Sequence, residues 1–335
     1  MAFIEVNALC KTFKVAAHRR GFWGAVRGLA SRQHTLIKAV DDISFSLDRG
    51  ELVGYLGPNG AGKSTTIKML TGILVPSRGS LSVDGLVPWW QRTQHTRRIG
   101  VVFGQRTGLW WDLPVVESFD LLRYIYKIPS QRFRENLKRF DDMLALGSFF
   151  NTPVRSISLG QRMRADLAAA LLHDPQVVFL DEPTIGLDVV AKDRIRSFIK
   201  ALNKTAGVTF ILTTHDLGDV EKLCQRVMLI DRGKLLFDGP LAQLHRRFGA
   251  DRELVVDFAE DYAKVDIDLA SISARANRQV TYRFTRETVS ASDLIQALAQ
   301  RFKIADLTVR EPEVENTIRR IYEERLLDAQ TPSNT

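Results

Sequence analysis

An α/β fold built on a buried parallel sheet, followed by a small α+β domain, is what this 335-residue sequence predicts. Three observations predict it. Short apolar runs at residues 52–56, 177–180 and 208–213 lack polar alternation, as strands buried on both faces do. Stretches with apolar residues at spacings of three and four separate them, the pattern of helices lying on a sheet. Beyond Gly239-Pro240 the order changes to β-β-α-β-α, which marks a second domain.

In chain order, residues 3–9 alternate as an edge strand does, and residues 39–47 form a second alternating strand. Asp48-Arg49-Gly50 turns into the apolar run at residues 52–56. Gly57-Pro58-Asn59-Gly60-Ala61-Gly62-Lys63-Ser64 follows and fits G-x-x-x-x-G-K-[ST]. Glycines there let backbone N–H groups point inward without side chains blocking a phosphate chain. A helix opening at Lys63, with apolar Ile67, Met69 and Leu70, turns its positive N-terminal end to the same place. Lys63 then meets the β- and γ-phosphates, and the Ser64 hydroxyl suits Mg²⁺.

Turns at residues 76–79 and 84–85 flank a short strand at 80–83, and residues 99–103 form a strand leading to Gln105. From Val115 to Phe150 the periodicity is helical, with Leu121, Leu122, Ile125, Phe133, Leu137, Phe140 and Leu144. An apolar helix at 161–172 stops at Asp174-Pro175. Helices at 191–202 and 217–224 alternate with strands at 177–180, 208–213 and 226–230. In the second domain, strands are expected at 253–258, 279–284 and 304–309. Ser290 caps one helix, and Pro312 opens a last one reaching Leu327. Residues 330–335 are expected to be disordered.

Composition is that of an ordinary globular protein, with size for about two domains. Cys10 and Cys224 stand far apart without metal-ligand neighbours, which excludes a disulfide framework and a zinc site and fits a reducing compartment. No apolar run reaches membrane-spanning length and no signal peptide is evident, so the expectation is a protein neither secreted nor membrane-spanning by itself. The net charge of +8 is local. Residues 11–38 carry seven Lys/Arg and no Asp or Glu, leaving about +1 for the rest.

A second motif completes the picture. Residues 177–182, Val-Val-Phe-Leu-Asp-Glu, form an apolar strand ending in two carboxylates, where open α/β sheets bind ligands. Asp181 falls near Mg²⁺, and Glu182 is placed to orient or deprotonate an attacking water.

With these motifs in this order, residues 1–240 resemble the ATP-binding cassette of ABC transporters. Residues 57–65 match its Walker A motif, which implies Gly57, Pro58, Asn59, Gly60, Ala61, Gly62, Lys63, Ser64 and Thr65 around ATP. Gln105 matches the Q-loop glutamine, implying catalytic and Mg²⁺ roles beside Ser64 and Asp181. Glu182 matches the catalytic glutamate and His215 the switch histidine. Ile157-Ser158-Leu159-Gly160-Gln161 stands where the signature L-S-G-G-Q lies, implying that Ser158, Gly160 and Gln161 reach the γ-phosphate held by an opposite subunit. Asp188 matches the D-loop, with a helix N-cap role beside it. Phe13 takes the place of the adenine-stacking aromatic, with ordinary core packing as the alternative.

The family's first signature glycine is Leu159 here. Retained but slower turnover is expected, with one inactive half-site as the alternative. The resemblance implies a P-loop NTPase cassette with a RecA-like core, an antiparallel β subdomain, and a helical subdomain at about 106–165. A C-terminal accessory domain at 241–335 follows. It also implies an ATPase that dimerises around two ATPs and drives membrane permeases on separate chains, from the inner face of the cell membrane. A homodimer is expected. The single cassette with its C-terminal appendage resembles exporters of drugs, lipids or polysaccharides. A soluble ATPase acting on ribosomes or nucleic acid is the competing class, disfavoured by the lack of a second cassette, coiled coil or zinc module. Trp110 and Trp111 fall where the family meets its permease, with core packing as the alternative. The basic insertion, residues 15–37, places Phe22, Val26 and Leu29 at helical spacing, which suits contact with an anionic membrane surface or the permease; a solvated loop is the other reading.

Overall fold

The computed structural model describes residues 2–16, 34–104, 106–214, 216–248, 251–285, 288–310, 318 and 321–322. Gln105, His215, the centre of the basic insertion with its expected helix, most of the last expected helix and the tail lie outside the described residues. The chain divides into two units, Met1–Asp238 and Gly239–Thr335.

In the first unit, β1 (Ile4–Ala16) and β2 (His34–Leu47) precede β3 (Leu52–Leu56), the helix Lys63–Leu70 and β4 (Arg78–Val83). Strands β1, β2 and β4 form an antiparallel sheet in the order β2-β1-β4. The remaining strands are β5 (Ile99–Phe103), β6 (Val177–Asp181), β7 (Thr209–Thr213), β8 (Arg226–Asp231) and β9 (Lys234–Pro240). With β3 they build a six-stranded sheet in the order β5-β6-β7-β3-β8-β9, in which β5, β6, β7, β3 and β8 pair in parallel. The apolar runs are continuous because both faces are covered. Phe179, Phe210, Leu212, Met228 and Leu229 are all buried. Register sets the site: Phe103, Asp181 and Thr213 stand in one row at the carboxyl ends of β5, β6 and β7.

The helices Val115–Tyr126, Ser130–Leu144 and Leu159–Leu171 account for the periodic middle of the chain, burying Phe119, Phe133, Phe140, Leu144, Met163 and Leu167. Leu159–Leu171 begins two residues before the expected start because Ser158 supplies its cap. The antiparallel subdomain is tied to the parallel sheet by Arg226. Its guanidinium donates to Glu51, Asp238 and the Ser46 carbonyl, all at 2.8–3.0 Å.

Three strand expectations change. First, β1 runs on to Ala16 and β2 begins at His34 rather than residue 39, so both ends of the insertion form a ribbon with Phe13 opposite Ile37 and Val15 opposite Thr35. Leu36 and Ile37 are 62% and 50% exposed, so no amphipathic contrast marked this segment; its ladder to β1 holds it. Second, β9 extends the parallel sheet beyond the turn at Arg232-Gly233.

Third, the other unit has a strand without a hydrophobic signature. It contains β10 (Asp251–Phe258), β11 (Ser271–Ala276), β12 (Gln279–Thr285), the helix Ala291–Arg301 and β13 (Ile304–Arg310), with sheet order β11-β12-β10-β13. Every residue of β11 is exposed, and it stays in place through its antiparallel ladder to β12. Leu254, Val256, Phe258, Val280, Tyr282 and Phe284 pack with Leu294 and Leu298 into a core of this unit's own.

Because each unit has its own core, a chain ending at Pro240 is expected to unfold cooperatively and to bind a fluorescent ATP analogue within about threefold of full length. A folded fragment without nucleotide binding would show that the second unit is needed.

Candidate active site

The helix Lys63–Leu70 starts where Gly62 takes φ 110°, and a Cβ at Gly62 would stand 2.4 Å from the Ala39 carbonyl oxygen. Only glycine allows β2 to pass so close to the loop. The Lys63 ammonium is buried under the loop and donates to the carbonyls of Gly57 at 2.5 Å and Pro58 at 3.1 Å. Burial pulls its pKa below the ordinary lysine value, while the charges of Glu182 and Asp181 pull the other way. A cleft of about 220 Å³ opens above this helix, lined by Ala39, Asn59, Gly60, Ala61, Gly62, Lys63, Ser64, Thr65 and Glu182.

Opposite the loop, Asp181 ends β6. Its Oδ1 accepts hydroxyl bonds from Ser64 at 3.4 Å and from Thr213 at 2.5 Å, joining the Lys63–Leu70 helix, β6 and β7 at one atom. Glu182 has left-handed backbone, φ 56°, and its N–H donates to the Thr213 carbonyl at 2.9 Å. Backbone strain of this kind concentrates at functional sites. The close neighbour is Gly104, whose N–H donates to the Asp181 carbonyl at 2.7 Å. A Cβ at Gly104 would lie 2.1 Å from the Glu182 carbonyl oxygen, so the residue before Gln105 must be glycine.

The turn after Glu182 is anchored from below. Asp219, fully buried, accepts from the Thr184 hydroxyl and from the Arg196 guanidinium. A buried ion pair of this kind holds its neighbours because breaking it strands a charge. Lys192 pairs with Asp216, the residue after His215. Burial tends to raise the Asp216 pKa, but the Lys192 bond and charge prevail and hold it below the ordinary carboxylate value.

A second group of expected residues gathers elsewhere and does not line the cleft. Ser158 Oγ accepts from the Gln161 N–H at 3.2 Å, and Gln161 Oε1 accepts from the Ser158 N–H at 2.8 Å, a reciprocal cap on Leu159–Leu171. Asp188 Oδ1 accepts from the Ala191 N–H at 2.8 Å and caps Val189–Ala206. These two helix starts touch. A methyl at Gly160 would lie 3.4 Å from Ala191 Cβ, and one at Gly186 would lie 3.1 Å from Leu159 Cδ2. Phe13 also stands outside the cleft, 36% exposed on the ribbon, with Lys11 Nζ 5.3 Å from its ring centre; it is not core. Trp110 and Trp111 are 39% and 49% exposed, so core packing is not their role either.

Sequence reasoning missed Thr213, Asp219, Arg196 and Asp166. Asp166 carried a readable signal, the one acid on the helix Leu159–Leu171, beside a run of Leu and Ala. It is buried, and its Oδ1 accepts from Thr107 Oγ1 at 2.8 Å and from the Gly108 N–H at 2.9 Å. Burial pushes its pKa up to about 6, with the Thr107 and Gly108 bonds and the Arg162 charge holding it down.

Residues 40–185 match the family model described as ABC transporter. The chain is 34% identical to the ABC transporter ATP-binding protein NatA of Bacillus subtilis, over 63% of this chain and 85% of the relative. It is 32% identical to the linearmycin resistance ATP-binding protein LnrL of the same organism, over 82% and 91%. It is 33% identical to the Nod factor export ATP-binding protein I of Ralstonia nicotianae, over 74% and 77%. A solved ATP-binding subunit of an ABC transporter superposes with TM-score 0.62 at 26% identity, covering 74% of this chain and 93% of that one. A dimeric post-hydrolysis cassette bound to ADP and Pi superposes with TM-score 0.59 at 24% identity, covering 71% and 98%, and speaks for the fold.

The Asp166 geometry has a pH consequence. Its folded pKa of about 6 exceeds the ordinary 3.8, so the folded state favours the protonated form and the charged form costs stability. Asp166→Asn keeps an acceptor at Oδ1 without the charge. The variant is expected to be more stable than the parent by at most about 3 kcal/mol above pH ~7. That gain should shrink as pH falls through about 6 and vanish near 4, as read by denaturant unfolding across pH; a constant difference would contradict the assignment.

Proposed function

The chain belongs to the ATP-binding cassette family of ABC transporter subunits, and from that premise we propose that it powers export through membrane permeases on separate chains. It is an ATP-hydrolysing transporter subunit. One observation carries the assignment of residues: Lys63, Ser64, Asp181 and Glu182 converge at the carboxyl ends of β3 and β6, around a cleft floored by a helix N-terminus.

In this reading Gly57, Pro58, Asn59, Gly60, Ala61, Gly62, Lys63, Ser64 and Thr65 wrap the triphosphate, with Lys63 leaving its two loop carbonyls for phosphate oxygens. Ser64 and Asp181 offer a hydroxyl and a carboxylate side by side, the hard-oxygen set that Mg²⁺ takes along with phosphate oxygens and water, and Gln105 completes it. Mg²⁺ held there would neutralise charge on the transferred phosphate. Glu182 orients the attacking water, and His215 follows at the end of β7. Phe13 stacks on adenine from the ribbon.

The remaining groups act across a dimer. Ser158, Gly160, Gln161 and Asp188 lie away from the cleft of their own chain, which supports a head-to-tail pair of identical cassettes with two ATPs between them. Closing that pair on ATP and releasing it after hydrolysis supplies the stroke. Among the described residues no helix is long and apolar enough to cross a membrane; in this reading the pathway lies in the permeases. The exposed surface of Trp110, Trp111, Leu121, Tyr124 and Ile125 is the docking face for them, at the inner surface of the membrane. Export is favoured because two relatives are named for Nod factor export and linearmycin resistance. The basic insertion adds contact with anionic lipid or the permease.

Glu182→Gln is expected to keep ATP affinity while hydrolysis falls about 10²–10⁴-fold, and ATP-bound dimers should accumulate on size exclusion with Mg-ATP. Lys63→Ala should lose ATP binding instead. Parental turnover in Glu182→Gln would remove Glu182 from the reaction.

Replacing Arg19, Arg20, Arg27 and Arg32 with Gln should leave hydrolysis by the isolated cassette within about twofold. Binding to anionic vesicles should weaken and lose its salt dependence, at ~1 kcal/mol for each charge near the surface. Unchanged vesicle binding would make the insertion a solvated loop.

A further inference from the structure

The loop of residues 107–113 is fastened to the chain on both sides of Ser158. At its start, one carboxylate oxygen of Asp166 takes the Thr107 hydroxyl and the Gly108 N–H, and Thr107 Oγ1 in turn accepts the Leu109 N–H at 3.1 Å. A single buried acceptor thereby fixes three successive residues leading into Trp110. At its far end, the Trp111 carbonyl accepts from the Arg155 N–H at 3.0 Å and the Leu113 carbonyl from the Val154 N–H at 3.0 Å. Arg155 also pairs with Asp112 at 2.8 Å, and Arg162 lies over the Trp111 ring at 5.7 Å.

Val154 and Arg155 stand four and three residues before Ser158; Arg162 and Asp166, four residues apart on one face of Leu159–Leu171, follow it. A buried acid is costly unless hydrogen bonds compensate it. Here they make the loop and the helix start one mechanical piece. Asp166 lies about 12 Å from Ser158 along the helix axis, too far to reach the same phosphate, so it acts through the helix.

We propose that Asp166 is a positioning residue: by clamping Thr107 and Gly108 it carries displacement of the Trp110–Trp111 surface to Ser158 and Gly160, and so to the ATP held by the opposite cassette. The clamp rests on the functional reading above, in which the tryptophans face the permease and Ser158 faces a partner's ATP. It works in both directions: ATP drawn against Ser158 shifts the tryptophans, and a permease pressing on the tryptophans shifts Ser158.

The full-length chain tests this through two readouts, steady-state Mg-ATP hydrolysis and the emission change of Trp110 and Trp111 on adding Mg-ATP. The Trp110→Phe/Trp111→Phe double variant supplies the background to subtract. Asp166→Ala should lower kcat about tenfold with KM for ATP within twofold, and should abolish the ATP-linked emission change. Asp166→Asn, which keeps the acceptor, should retain both within about twofold, and Thr107→Val, which removes one donor from the other side, should lose part of each. Should Asp166→Ala fail to fold, the Asn and Val variants decide alone. Full kcat and full emission response in Asp166→Ala would overturn the clamp. So would an Asn variant as impaired as Ala, a Val variant like the parent, or a parent whose tryptophans ignore ATP. Loss of nucleotide binding in the parent itself would instead strike at the ATPase reading.

Discussion

One carboxylate oxygen organises the edge of the sheet that borders the cleft. Asp181 Oδ1 receives hydroxyls from the helix at Ser64 and from β7 at Thr213, and the backbone beside it is packed so tightly that Gly104 admits no side chain. Parallel strands give this edge its address, since their carboxyl ends open onto one side of the sheet. The hydroxyl bonds set the spacing between loop and strand, and the left-handed turn at Glu182 aims the next carboxyl group into the cleft. Remove that row and the loop, the strand end and the turn keep their individual shapes but lose their mutual distance.

The geometry of this edge was legible because backbone needs dictate its residues. Gly57 to Ser64 fits the pattern of a phosphate-binding loop, and the apolar run before Asp181 announces a buried strand. What stayed hidden depends on contacts distant in sequence. Asp219 supports the turn after Glu182 from 35 residues away, and nothing near it in sequence marks the partnership. Strands β11 and the outer part of β2 escaped because their residues are exposed, so the hydrophobic period that reveals a half-buried strand was absent. Their order comes from neighbouring ladders, which local sequence does not display.

The division of labour within the chain follows from the same geometry. The loop of Gly57 to Ser64 and the carboxylates of Asp181 and Glu182 sit at the end of a parallel sheet whose covered faces leave little freedom. The capped starts of Leu159–Leu171 and Val189–Ala206 form a separate, exposed corner with good anion-binding dipoles and no phosphate loop of their own. Each half lacks what the other has. In the head-to-tail pair proposed above, each nucleotide would have one wall in each subunit, so the two sites would respond to occupancy together.

The contact between Leu159 and Gly186 reaches beyond mechanics. Leu159 Cδ2 fills the space that a side chain at Gly186 would need, on a backbone already at φ 70°. A side chain at 186 would thus meet two separate obstacles, and rotating the exposed Leu159 away removes only one of them. The left-handed backbone remains, so trimming residue 159 alone does not open position 186 to other amino acids.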